Sequence, residues 1–330
     1  MSHTPEKNRY DAMKYRYAGH SGLQLPELSL GLWHNFGTDA QETVTTDIIC
    51  RAFDRGITHF DLANNYGPEP GSAEKRFGNI LKQQLSAYRD EMIISSKAGY
   101  EMWPGPYGDF GSRKYILSSC DQSLKRLGLE YVDIFYHHRP DPKTPLEETM
   151  GSLAQLVHQG KALYVGISNY HAADALRAKK ILDGLGCPCI LNQVRYSILD
   201  RWTEEDHLLD AMDGQIGMIC FSPLAQGLLT GRYLDGVVPP GSRASQNRFL
   251  KAEKITPDLV EKLNKLNSIA QQRGQTLSEM SISWLLKDSR VTSVLIGASS
   301  VAQLEDNLKA VAYEGTFSKE ELGAIDVLSE

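Results

Sequence analysis

Eight short apolar runs recur along the 330-residue chain, and their spacing constrains the fold more than any other feature. They are LSLGLW (28–33), THFDLA (58–63), MIISSKA (92–98), VDIFYHH (132–138), LYVGIS (163–168), CILNQV (189–194), GMICFSP (217–223) and SVLIGA (293–298). Most are near-continuous rather than alternating, as strands of a parallel sheet buried on both faces must be. Between them lie stretches of helical periodicity, among them AEKRFGNILKQQL, RKYILSSCDQSLKRLG and LEETMGSLAQLVHQG. Gly128 and Gly160 stand where helix C-terminal glycines belong. Eight strand–helix units predict an α/β fold, a (β/α)8 TIM barrel. A doubly wound sheet is the rival, but no GxGxxG follows the first run.

Two additions surround the barrel. YRYAGHSGLQLPELS has two short runs about a Ser-Gly turn and predicts a β-hairpin at about 13–28. Residues 224–255, rich in Gly, Pro, Ser and Arg, predict a long loop after strand 7, of the kind that usually carries function. The expectation is one domain over 1–330, with the barrel at about 28–313 and a C-terminal helix at about 318–328. A net charge of −6 offers no basic field to nucleic acid or an anionic membrane. The N-terminal stretch is polar and no run is long enough to span a bilayer, so a cytoplasmic location is expected. Five scattered cysteines (Cys50, Cys120, Cys187, Cys189, Cys220) argue against a disulfide framework. The lone Cys187-Pro-Cys189 reads as structural. No HxxxH, HxH or paired CxxC spacing supports a metal site, so none is expected.

Four polar residues sit in or just past the C-terminal ends of consecutive runs: Asp61, Tyr66, Lys97 and His138. A barrel places its active site at that rim. Singly, each has an ordinary reading: a helix cap, a turn aromatic, a rim lysine, a structural histidine. On the second, third and fourth strands in order, they form a set suited to protonating a carbonyl oxygen. A phenol has a pKa of about 10, and a neighbouring ammonium pulls it down. Lowering it by about two units corresponds to roughly 2.7 kcal/mol. An aspartate would keep the lysine charged and placed, and a histidine would orient the carbonyl. These four residues supply no reductant, so a hydride-carrying cofactor is required.

From KYRYAGHSGLQLPELSLGLW to VTSVLIGASSVAQLEDNL the chain resembles the aldo-keto reductases. Within that superfamily, THFDLANNYGPEPGSAE, SSKAGYEMWPGPYGDFGSRKY and YVDIFYHHRPDPKTP are most similar to bacterial L-glyceraldehyde 3-phosphate reductases. The same branch holds the β-subunits of voltage-gated potassium channels. The resemblance implies Asp61, Tyr66, Lys97 and His138 as the catalytic tetrad, with Tyr66 as proton donor. It implies NADPH/NADP+ as cofactor, its nicotinamide held by Ser168, Asn169 and Gln193 and stacked on Phe221, beside Trp33, Asp61, Ser222 and Leu224. Arg232, Arg243, Gly297, Ser299, Gln303, Asp306 and Asn307 would hold the adenosine end, Arg243 gripping a 2′-phosphate. A strand-to-helix junction at Ser299 suits phosphate, although Ser299 also reads as a plain N-cap. Asp306 would equally suit a free 2′-hydroxyl.

The implied substrate is a small aldehyde such as L-glyceraldehyde 3-phosphate or methylglyoxal, beside Trp33, Tyr66, Trp103 and His138. Tyr107 and His137 are further rim candidates, and Arg113, Lys114 and Arg139 are cations for a substrate phosphate. A homo-oligomer, tetramer or octamer, is implied as well. The alternative is an NADPH-binding, redox-sensing regulatory subunit like the channel β-subunits. Those characteristically carry Asn where this chain has His138 and Arg where it has Asn169, which favours the enzyme.

Overall fold

The computed structural model describes residues 2–247 and 249–329. Two short strands, β1 (Tyr15–Tyr17) and β2 (Gln24–Pro26), pair antiparallel with Tyr17 opposite Gln24. They are the expected hairpin. Eight parallel strands then close a barrel: β3 (Leu28–Gly31), β4 (His59–Asp61), β5 (Ile93–Ala98), β6 (Val132–His137), β7 (Ala162–Ser168), β8 (Cys189–Arg195), β9 (Gly217–Phe221) and β10 (Val291–Ile296). Each neighbours its sequence successor, and β10 pairs with β3 to complete the ring. All eight apolar runs thus became barrel strands, within a few residues of their expected bounds.

Helices return the chain between strands. Arg113–Leu127 begins at the Ser112 cap, whose hydroxyl accepts from the Tyr115 amide at 3.3 Å, and ends at Gly128 with φ 69°. A left-handed φ there suits glycine and stops the helix. Leu146–His158 also lies where periodicity put it, and a further helix spans Lys319–Ser329. Among the described residues, segment 224–255 carries only short helical turns, at Ala225–Thr230, Arg243–Gln246 and Ala252–Lys254.

The main core lies between barrel and helices; a second cluster fills the barrel itself. Ala18 and Leu25 of the hairpin join Ile134, Tyr136, Ile190, Leu191, Ile219 and Leu295 in that interior. The His20 amide bonds the Gln215 carbonyl just before β9, so the hairpin closes the N-terminal end of the barrel. The site is therefore left to the other mouth. No helix among the described residues is long and apolar enough to cross a membrane. All five cysteines are buried free thiols.

Candidate active site

The four polar residues converge at the C-terminal mouth. Asp61 faces Ser95 across β4–β5, and Lys97 faces Tyr136 across β5–β6. Beyond β4 the ladder continues, with the amides of Leu62 and Asn64 bonding the Ser95 and Lys97 carbonyls at 2.9 Å. This pins the loop carrying Tyr66 onto β5. Lys97 Nζ donates to Asp61 Oδ2 at 2.5 Å and to the Leu62 carbonyl at 2.6 Å, and lies 3.4 Å from Tyr66 Oη. Asp61 Oδ1 accepts from Ser95 Oγ at 2.8 Å and Gln193 Nε2 at 3.0 Å. Both ions have no solvent exposure, and their mutual pairing offsets the cost of burying them. His138 meets the Tyr66 ring edge-on, with centroids 5.7 Å apart, and its backbone amide bonds Ala98 O at 2.9 Å.

Burial dominates the titration of these groups. It pushes Tyr66 well above the usual phenol range, and Asp61 adds to the rise. The expectation of a lowered phenol is not met, because burial outweighs the ammonium beside it and the Asp61 carboxylate adds to the rise. Burial likewise lowers Lys97, against the pull of Asp61. His138 is pushed well below the ordinary imidazole value by burial and by Lys97, so it is neutral near pH 7. A neutral imidazole donates through one nitrogen only.

The residues expected to meet a cofactor line the other arc of the mouth, at the ends of β7 to β10. Ser168 lies opposite Gln193. Asn169 Nδ2 donates to the His138 carbonyl at 3.2 Å and to Ser168 Oγ at 3.1 Å, which ties this arc to the first. Gly166 is required two residues earlier, since a Cβ there would stand 2.4 Å from the Tyr136 ring. Phe221 is half-buried against the barrel interior at the end of β9. Trp33 follows β3, its ring 6.4 Å from that of Tyr66. Gln226 bridges the segment after β9: its amide donates to Ser222 Oγ at 3.1 Å, and Arg243 Nη1 donates to its Oε1. The Arg243 guanidinium also lies over Trp33, 5.3 Å from the ring centre, while Leu224 packs on the main core.

These groups suit a nicotinamide nucleotide. They offer an aromatic face, an amide–hydroxyl cluster, a half-buried cation and, past β10, the start of helix Val301–Ala312. Not every expected member is equally placed. Asp61 is sealed under its partners, away from direct contact. The cap of helix Val301–Ala312 is Ser300, whose hydroxyl accepts from the Gln303 amide, rather than Ser299. Ser299 is exposed and bonds the Gln303 side chain instead, with Gly297 open beside it. Asp306 is paired with Lys309 at 2.7 Å, Asn307 is buried, and Arg232 is exposed.

The other rim candidates have defined neighbours. His137 is fully buried, with Nδ1 2.6 Å from Tyr170 Oη, and so offers no exposed surface to a substrate. Trp103 packs on Tyr115, with ring centres 5.3 Å apart. The aromatic that reaches His138 is Tyr100, edge-on at 4.7 Å, which sequence reasoning missed. Arg139 is committed to both carboxylate oxygens of Asp109, at 2.7 and 2.8 Å, and to the Tyr100 face. Phe249 was also missed; its ring lies 4.7 Å from that of Trp33.

Such a barrel, with a polar constellation at its C-terminal mouth, is built as an enzyme. The profile of the Aldo/keto reductase family matches residues 27–330, and the chain belongs to that family. It is thus an oxidoreductase that works with a nicotinamide cofactor. It is 56% identical over 324 residues to the L-glyceraldehyde 3-phosphate reductase of Escherichia coli strain K12, covering 96% of this chain and 93% of that protein. The same identity and coverage relate it to the L-glyceraldehyde 3-phosphate reductase of E. coli O157:H7. A probable voltage-gated potassium channel subunit beta from Arabidopsis thaliana is 36% identical over 309 residues, 91% of each chain.

Proposed function

We propose that this protein reduces small aldehydes, L-glyceraldehyde 3-phosphate or methylglyoxal among them, using NADPH, with Tyr66 giving the proton. The observation that carries this reading is the buried Lys97 ammonium, fixed by Asp61 at 2.5 Å and aimed at the Tyr66 hydroxyl 3.4 Å away. The nicotinamide, when bound, supplies the hydride. Tyr66 stays protonated across neutral pH, the form an acid needs, and Lys97 stabilises negative charge as it grows on the phenol oxygen. Neutral His138 donates a hydrogen bond that orients the carbonyl beside Tyr66. Phe221 offers the stacking face, Ser168, Asn169 and Gln193 the carboxamide partners, and Trp33 covers the mouth.

Preference for NADPH over NADH is assigned to Arg243, with Ser299 and Gln303 at the helix start. Lys309 on Asp306 supports this, because a neutralised carboxylate repels a 2′-phosphate less. A cytoplasmic homo-oligomer belongs to the same reading; exposed Leu176 and Leu185 provide apolar surface for self-association. The test is NADPH oxidation with methylglyoxal, 4-nitrobenzaldehyde and L-glyceraldehyde 3-phosphate, run beside Tyr66→Phe. Tyr66→Phe should abolish turnover and leave NADPH affinity unchanged. Retained turnover refutes Tyr66 as the acid. Tight NADPH binding without turnover by the unaltered protein points instead to a redox-sensing subunit.

A further inference from the structure

Beneath the Tyr66–Lys97–Asp61 group, a line of polar side chains runs down the barrel interior. Ser95 Oγ donates to Asp61 Oδ1 at 2.8 Å and lies 3.0 Å from His59 Nε2. His59 Nδ1 is 2.8 Å from Ser29 Oγ, which is 2.6 Å from Ser293 Oγ. Ser293 Oγ reaches the Pro26 carbonyl at 2.6 Å. All four of these side chains have no solvent exposure, so their hydrogens have nowhere else to go.

Counting those hydrogens assigns the imidazole. Five contacts join the Pro26 carbonyl to Asp61. Burial holds His59 down at about 4, against the pull of Asp61 and with the push of Lys97, so the ring is neutral at working pH. Three hydroxyls and a neutral imidazole supply one hydrogen fewer than the contacts require. If the ring carries its hydrogen on Nδ1, the single Ser95 hydrogen must fill either the Nε2 contact or the Asp61 contact, so one of the two bonds that fix the Ser95 hydroxyl beside Asp61 goes unmade. If it carries the hydrogen on Nε2, Ser95 is free to donate to Asp61, and the unfilled contact moves to the Ser293 end. Only the second arrangement fills both Ser95 contacts: the hydroxyl accepts from Nε2 and donates to the carboxylate, each bond polarising the other, and the missing bond lies among neutral groups at the far end, so the second arrangement wins.

We propose that His59, as the Nε2–H tautomer, is a positioning residue that holds the Ser95 hydroxyl on Asp61 and thereby sets Asp61 against Lys97. The proposal rests on the assignment of Tyr66 as the acid supported by Lys97. It makes the rate of reduction depend on an imidazole that touches neither substrate nor cofactor.

The test is a mutant cycle read by single-turnover reduction. Ser95→Ala and His59→Leu should each slow the step about tenfold, as loss of one charge-assisted bond would. KM and the Kd for NADPH should stay within about twofold, because neither change touches a binding group. The double variant should be no slower than the slower single, since both act through one bond. His59→Gln, whose amide can donate to Ser95 and accept from Ser29, should recover most of the rate. Nitrogen NMR of the unaltered protein should find the His59 hydrogen on Nε2. Multiplying losses, no rescue by His59→Gln, or a hydrogen on Nδ1 would overturn the proposal. Should His59→Leu fail to fold, Ser95→Ala and the NMR assignment still decide it. An active Tyr66→Phe would defeat the underlying assignment, whereas a dead Tyr66→Phe beside a full-rate Ser95→Ala defeats only the role of His59.

Discussion

Replacing Lys97 by Met separates the two tasks of its ammonium. The first is electrostatic support of Tyr66. At 3.4 Å, a cation stabilises a phenolate by about 5 kcal/mol at an effective dielectric of about 20. Asp61 opposes this from the far side of the ammonium and raises the phenol on its own account. A net effect of about 2–3 kcal/mol remains, or roughly 30- to 150-fold in the rate of reduction. The second task is neutralising Asp61, which has no exposure and keeps only Ser95 and Gln193 once Lys97 is gone. An uncompensated buried charge of this kind costs about 3–5 kcal/mol in stability. Adding Asp61→Asn removes that charge, so the double variant should regain stability but not rate. Urea unfolding and NADPH oxidation, measured on both variants and the unaltered protein, separate the two effects. A Lys97→Met enzyme within threefold of full rate, or a double variant no more stable than the single, would refute the reasoning.

The remaining predictions concern cofactor choice and pH. Arg243→Ala should raise the Kd for NADPH at least tenfold more than that for NADH, measured by fluorescence titration; equal losses would remove the 2′-phosphate role. Aldehyde reduction should hold a plateau through neutral pH because Tyr66 is pushed up, while alcohol oxidation, which needs the phenol deprotonated, should accelerate into the alkaline range. Steady-state profiles in both directions check this, and a reduction rate already falling at pH 8 would contradict it. His59 and His137 are both pushed down to about 4 by burial, so each binds a proton less readily folded than unfolded. Their stabilisation is present above about 6.5 and lost as pH falls through about 4, worth about 3 kcal/mol each. Urea midpoints should fall across that window, and less steeply in His137→Gln.

The barrel was legible because strands buried on both faces leave unbroken apolar runs, and helices leave a different period. The grouping of Asp61, Tyr66, Lys97 and His138 was legible because they lie at or just past the ends of consecutive runs, and ends of barrel strands share a rim. What could not be read was which neighbours fill the space between strand ends. Tyr100 meets His138 edge-on with the Arg139 guanidinium, itself tied to Asp109, over its ring, a three-way contact that no run or spacing announces. Phe249 reaches Trp33 from a segment with no periodicity at all. The interior line was hidden for another reason: in a run buried on both faces, alternation gives no contrast between inside and outside. A signal existed nonetheless. His59 and Ser95 lie two residues before Asp61 and Lys97, in the phase that points into the barrel. The sign of the Tyr66 shift was misjudged because the ammonium was weighed without the cost of burial.

That cost explains the division of labour at the mouth. Burial disfavours both the phenolate and the ammonium, as the opposite shifts of Tyr66 and Lys97 record. Asp61 keeps Lys97 charged in such a place, yet the same carboxylate makes the phenol a weaker acid. The conflict is eased by geometry. Asp61 reaches Lys97 at 2.5 Å and spends its other oxygen on Ser95 and Gln193, so part of its charge is drawn down into the barrel and away from Tyr66. The ammonium faces Tyr66 directly. If Tyr66 is the acid, as proposed, a donor on Asp61 Oδ1 serves it by holding that carboxylate on Lys97, a use for polar side chains in an interior that packing alone would fill with apolar ones.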